Sequence, residues 1–304
     1  MKRNFVAGTS AIALLLLSAG CGTSKLPLED RVTHAYVDNG GVKIHYVSLG
    51  KGPLVVLIHG FPDYWYTWHA QIEALATDHR VVALDLRGYN LSDKPQGVAA
   101  YSKELLASDV ASVIRDCGEK KAVLIGHDWG GMVAWQVALY LPDLVDKLIV
   151  LDAPHPEALV RELGRNPLQQ KRSQYAQSFK RPGMEALIQK NAESLLSWLD
   201  EPVEKAKHLE VLRRADFVAM FNYYRANYPD PPPTPVSGEV HRIDVPLLVI
   251  YGLEDQAFAP ETLDGSWGWS TKDVTVVALP GVGHWVQYQA AAQVNRIMRK
   301  WLEP

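Results

Sequence analysis

Six short runs of consecutive apolar residues constrain this chain more than any other feature. They are Leu54–Ile58, Val81–Leu84, Ala122–Ile125, Leu148–Leu151, Val245–Ile250 (broken only by Pro246) and Val274–Leu279 (broken only by Thr275). A strand with one wet face alternates apolar and polar residues, so solid runs of this length suit strands buried on both faces of a parallel sheet. Helical patterns lie between them, over Thr67–Ala76, Lys103–Asp116 and Met132–Leu141, and a last one over Gln289–Leu302 closes the chain. This alternation predicts an α/β fold, a mostly parallel sheet with flanking helices. The alternating stretch 34–47 predicts an edge hairpin. With 304 residues, 47% of them apolar, the chain can bury a large core without disulfides. Its 31 basic and 34 acidic residues nearly cancel, which argues against a nucleic-acid binder and against an acidic disordered chain. Two cysteines exclude a disulfide scaffold or a Cys-rich zinc module.

The strand rhythm stops between about 156 and 238. That stretch is helical by pattern, with Met184–Lys190, Ala192–Leu199 and a long run Val203–Asn227, and it ends in a proline-rich connector from Tyr228 to Pro235. The division expected is therefore a core in two pieces, 28–155 and 239–304, with a helical cap, 156–238, inserted between them. Residues 1–20 stand apart. Lys2 and Arg3 precede an apolar run from Ala11 to Leu17, then small residues lead to Cys21. This is the layout of an export signal. Its end resembles a lipobox, with Ser18 where an aliphatic residue is favoured, so the expectation is an exported lipoprotein held to a membrane through a lipidated Cys21. The alternative is an ordinary signal peptide and a periplasmic or secreted protein. Cys117, near a predicted helix end, reads as a partly buried, inert thiol.

The strongest motif is Gly126-His127-Asp128-Trp129-Gly130, which follows a buried run and opens a helix. Glycines on either side permit the sharp strand-to-helix turn of a nucleophile elbow, with the central side chain at the top of the sheet. Here that residue is Asp, and a carboxylate can attack an electrophilic carbon to form an ester. Hydrolysis of the ester needs a base. His284, in the loop after the last apolar run, has the right chemistry. Asp255, after the preceding run, is placed to orient it, with Glu254 and Asp152 as other candidates for that acid. The order Asp128, Asp255, His284 is nucleophile, acid, histidine. Backbone N–H groups of Phe61 and Trp129 would form the oxyanion hole, whereas His59 reads as a structural hydrogen-bonder. The chain has no Gly-x-Ser-x-Gly, no His-Glu-x-x-His and no phosphate loop, and the reading calls for no metal or cofactor.

With these residues in view, the sequence resembles the epoxide hydrolases of the α/β-hydrolase fold, the soluble and bacterial kind, from about residue 30 to 302. The resemblance rests on His59-Gly60-Phe61-Pro62-Asp63, Asp85-Leu86-Arg87-Gly88-Tyr89, Gly126-His127-Asp128-Trp129-Gly130-Gly131, Gly252 with Asp255, and Gly283-His284. Haloalkane dehalogenases, which are similar, usually have Asn at the place of Phe61, and fluoroacetate dehalogenases usually have Arg at that of Trp129. The resemblance implies a small organic epoxide as substrate, a vicinal diol as product, and two cap tyrosines donating to the epoxide oxygen. Their matches are Tyr224, with Tyr223 its neighbour, and Tyr175. Trp65, Trp68 and Trp129 are expected to include walls of the substrate pocket, and Trp198, Trp267, Trp269 and Trp301 read as packing residues. Asn90 stands where the family commonly has Gly. Two other readings remain open: a dehalogenase using the same Asp nucleophile, and a non-catalytic binding protein on a hydrolase fold.

Overall fold

A computed structural model describes residues 26–231, 233 and 241–303. The expected leader, Cys21 and most of the expected proline-rich connector lie outside the described residues. Eight strands form one sheet: β1 (Thr33–Asn39), β2 (Val42–Leu49), β3 (Leu54–Ile58), β4 (Arg80–Leu84), β5 (Ala122–His127), β6 (Val145–Leu151), β7 (Leu247–Gly252) and β8 (Val274–Leu279). Their order is β1-β2-β4-β3-β5-β6-β7-β8. The hairpin β1–β2 pairs antiparallel with itself and with β4, and every pairing from β4 through β3 to β8 is parallel.

Except at the edge strand β8, which is only partly buried, the solid apolar runs are explained by two cores, one on each face. Along β3, Leu54, Val56 and Ile58 enter one core and Val55 and Leu57 the other; along β5, Leu124 and Ile125 divide in the same way. Every residue of β3, β5 and β7 is buried. The order reverses at β3, which has β4 on one side and β5 on the other. A crevice opens at such a reversal beyond the carboxyl ends of the strands, where parallel sheets bind ligands. The loop after β3 and the turn after β5 both enter it.

Several element bounds differ from the sequence expectation. The helix after β5 runs Trp129–Tyr140, opening at Trp129 rather than Met132. Gly130 and Gly131 belong to it because it lies hard against β3 and the segment after β6: a Cβ on Gly130 would collide with the Ile58 carbonyl, and one on Gly131 with the Ala153 methyl. The long run 203–227 is two helices, Pro202–Arg213 and Phe217–Asn227, the second capped by the Asp216 carboxylate, which accepts from Ala219 N at 3.0 Å. Ala192–Leu196 is a 3₁₀ turn, and Val286–Gln289 is a separate turn before the last helix, Ala291–Leu302. Between β6 and β7 the described residues hold helices and no strand, beginning with Pro156–Arg165, Pro167–Arg172 and Gln174–Phe179. No helix among the described residues is long and apolar enough to cross a membrane.

Asn90 takes the left-handed conformation, with φ 37°, which suits Gly or Asn. Its side-chain amide donates to Asp85 Oδ2 at 2.9 Å, so the turn holds without a glycine.

Candidate active site

Asp128 sits at the β5–helix turn with φ 50° and ψ −122°, a backbone conformation a non-glycine residue adopts only when its surroundings enforce it. A Cβ on Gly126 would collide with the Gly130 carbonyl, and one on Gly60 with the Asp128 side chain, so these glycines let strand, turn and helix close around the carboxylate. Phe61 N–H donates to Asp128 Oδ1 at 2.8 Å. Trp129 is the first residue of the helix, where an N–H lacks an intrahelical acceptor. The positive end of the helix dipole thus faces the same carboxylate.

His284 follows β8 and reaches back to β5. Its Nε2 lies 3.6 Å from Asp128 Oδ2 and its Nδ1 is 2.9 Å from Asp255 Oδ2. The other oxygen of Asp255 accepts from the N–H groups of Ala257 at 2.5 Å and Phe258 at 3.1 Å, which fixes the carboxylate's orientation. Among the candidate acids, Asp255 is the one on the imidazole. Glu254 is exposed. Asp152 points its Oδ1 at Gly252 N–H, 2.8 Å away; burial, reinforced by the charge of Asp255, pushes its carboxyl well above the usual range, so it stands as a neutral acid beside Asp255.

Burial opposes charge on both reacting groups, yet their mutual attraction prevails. Asp128 is raised by burial but lowered further by the His284 hydrogen bond and charge, and ends below the usual carboxylate range. His284 is lowered by burial but lifted well above 6.5 by Asp255 and Asp128 together. The resting pair is carboxylate and imidazolium.

A cavity of about 270 Å³ opens over this group, and Tyr175 and Tyr224 line it. Tyr223 is excluded from the same task because its hydroxyl donates to Arg87 O at 2.8 Å. Burial pushes the phenols of Tyr175 and Tyr224 well above 10, which keeps them protonated hydrogen-bond donors.

The α/β hydrolase fold family model matches residues 53–291. The chain belongs to the α/β-hydrolase family. It is similar to Epoxide hydrolase 1 of Caenorhabditis elegans, 34% identical over 88% of this chain and 69% of that one, and to Epoxide hydrolase 4 of Mus musculus, 32% identical over 89% and 80%. Among solved structures it resembles an epoxide hydrolase from Bacillus megaterium crystallised with an inhibitor, at TM-score 0.80 and 33% identity over 88% of this chain and 99% of that one.

Within this α/β-hydrolase, His59 is a structural group, as expected: Nδ1 donates to Gly60 O at 2.8 Å and Nε2 accepts from Leu86 N at 3.1 Å. The tryptophan expectations need correction, and Trp68 is wholly buried in the core on the opposite face of the sheet. Trp65 does not line the cavity; its N–H donates to Asp85 Oδ1 at 2.9 Å and its ring packs against His34, Tyr64 and Tyr66 in the opposite core. The Trp129 ring also lies off the cavity wall and stands edge-on behind Tyr224, centroids 5.1 Å apart. The walls are instead Trp198 and Trp285, stacked with centroids 4.2 Å apart and planes 7° from parallel. Trp198 lies far in sequence from the triad, and no local signal marks it as a wall rather than a packing residue. Trp285 adjoins His284, a signal that was available. His127 was also missed: its Nε2 donates to His284 O at 2.8 Å and its Nδ1 accepts from Gln287 at 3.1 Å, holding the base loop against the elbow. Burial pulls His127 down to about 4, so it remains neutral.

Proposed function

We propose that this chain hydrolyses small organic epoxides to vicinal diols through an ester on Asp128. The observation that carries this reading is the Asp128 carboxylate held between Phe61 N–H and His284, under a cavity lined by two phenols. Tyr175 and Tyr224 donate to the epoxide oxygen. Oδ1 is held by Phe61, so Oδ2 attacks a ring carbon; the C–O bond breaks and the alkoxide takes a phenol proton. Ester formation removes the charge of Asp128, one of the two that hold His284 protonated. The imidazole then falls in pKa, releases its proton and becomes a base. It deprotonates a water that attacks the ester carbonyl, whose oxyanion remains at Phe61 N–H with the Trp129 N–H beside it. Collapse frees the diol and restores Asp128 beside the imidazolium, and the proton that His284 released earlier reaches the phenolate through solvent. No cofactor enters these steps.

One turnover in ¹⁸O water tests the route. The label should enter Asp128 and be absent from the first diol; label in the diol and none in the protein would mean direct attack by water. Dehalogenation would use the same ester, but two phenols suit a developing alkoxide. The cap division at 156–238 and the lipidated, membrane-held form belong to the same proposal. The support for the latter is the Lys2-Arg3 start, the apolar run and Cys21. Release of Cys21→Ser protein from the membrane fraction is its expected consequence.

A further inference from the structure

Outside the triad, one buried pair of ionisable side chains joins the insertion to the core. His208, on the helix Pro202–Arg213, and Asp63, on the loop after β3, are each about 1% exposed. His208 Nε2 and Asp63 Oδ1 lie 3.3 Å apart, an ion-pair contact, and neither atom has another hydrogen-bond partner among the described residues. His208 Nδ1 is 2.9 Å from the Glu204 carbonyl, which only accepts, so Nδ1 carries a proton. A second proton must therefore lie between Nε2 and Oδ1. Without it, two lone pairs face each other in a buried site.

The far side of this pair touches the catalytic apparatus. Asp63 Oδ2 accepts from Trp285 Nε1 at 3.1 Å and from Thr67 at 3.2 Å. Trp285 follows the base in sequence, and its ring stacks on Trp198 of the insertion. Asp63 is two residues past the oxyanion donor Phe61.

We propose that the His208–Asp63 pair is a proton-dependent latch that seats the helical insertion on the core and, through Trp285, sets the wall of the substrate cavity. His208 is then a positioning residue for the reaction; the kinetic part of this proposal rests on the epoxide reading. The ionisable groups around His208 are Asp63, Tyr64 and Tyr66 on the loop after β3, His69 at the start of the next helix, Tyr288 beyond the base loop, and Glu204 and Lys207 on its own helix. Burial raises the three tyrosines and lowers His69, so they are neutral in the middle of the pH range. Burial also pulls His208 down, but Asp63 and then Glu204 outweigh it, and its pKa stands above 6.5. The latch is accordingly made below that value and lost as pH rises through it.

The test uses the whole chain and the variants His208→Gln, His208→Lys and Asp63→Asn, from roughly pH 6 to pH 10. One measurement is hydrogen exchange of residues 192–213, corrected for the intrinsic rate, which needs no turnover. The other is KM and kcat for styrene oxide. In the wild type, both exchange and KM should rise on the alkaline side. His208→Gln should show the open values throughout, with exchange and KM raised on the order of tenfold at the acid end. His208→Lys, which keeps a cation, should move the alkaline rise to higher pH. Asp63→Asn, whose amide can donate to a neutral imidazole, should abolish the rise. A wild-type pH dependence in His208→Gln overturns the latch, as does a uniform loss of stability in the variants with the pH dependence intact. No turnover by the wild-type chain overturns the hydrolase reading instead, and exchange alone then decides the latch.

Discussion

His284 Nε2 stands 3.6 Å from Asp128 Oδ2, so the base and the nucleophile are ion partners before they are successive participants in a reaction. If His284 acts only in the second half, its loss should leave the ester stranded. His284→Gln should still be alkylated by an epoxide, while ester hydrolysis falls by about 10²–10⁴-fold. Intact-protein mass spectrometry should show one added epoxide, and peptide mapping should place it on Asp128. An adduct elsewhere would sink the assignment.

The same pairing makes a titration prediction. Asp128→Asn removes one of the two anions that lift His284, so the imidazole should titrate at lower pH in that variant, as ¹⁵N NMR of the histidines would record. The stability consequences have opposite signs at the two ends. Asp128, depressed in the folded state, contributes stability above the ordinary carboxylate value that is lost as pH falls through its folded value. His284, raised in the folded state, contributes stability below 6.5 that is lost as pH rises through its folded value. Thermal stability should therefore be greatest between the ordinary carboxylate value and 6.5, and His284→Gln should flatten the alkaline limb.

Neighbouring tyrosines should separate catalysis from structure. Tyr224→Phe removes a donor to a developing alkoxide and should slow alkylation by roughly 10–100-fold, the worth of a hydrogen bond to a charged group. Tyr223→Phe leaves the buried Arg87 carbonyl without that donor and should cost about 1–3 kcal/mol of stability while alkylation changes little. Stopped-flow tryptophan fluorescence and urea denaturation report the two quantities. Equal kinetic losses in both variants would remove the distinction.

The turn after β4 offers a stability test remote from the chemistry. Asn90→Ala keeps the positive φ but loses the hydrogen bond to Asp85, and should destabilise by about 1–2 kcal/mol. Asn90→Gly loses the same side-chain hydrogen bonds but relieves the backbone, so its urea midpoint should fall less. The reverse ranking would show that backbone conformation is not the issue there.

The sheet was legible because burial on both faces leaves a local record: a strand such as β3 must be apolar at every residue, whatever its partners. Asp128, His284 and Asp255 were legible for a related reason. Each follows a strand end, where a short motif determines the local backbone, and the glycines around Asp128 are required by close approaches within that turn. The choice among Asp255, Glu254 and Asp152 was narrower, since adjacent loops offered three carboxylates and only spatial position places one on His284. Of the cavity walls, Tyr175 and Tyr224 were legible through the resemblance and Trp285 through its place beside His284, but the tryptophan pair was not. Trp65 and Trp129 adjoin the motifs in sequence, yet their rings turn away, while Trp198 arrives from the insertion to meet Trp285. His208 and Asp63 are 145 positions apart, and nothing local to either residue signals the other. By itself the sequence determined the strands, the turn and the chemical types at the strand ends, because those depend on neighbours within a few residues. Tertiary structure alone decided which side chains share the cavity and which charges are paired, because both depend on how the insertion packs over the crevice between β3 and β5.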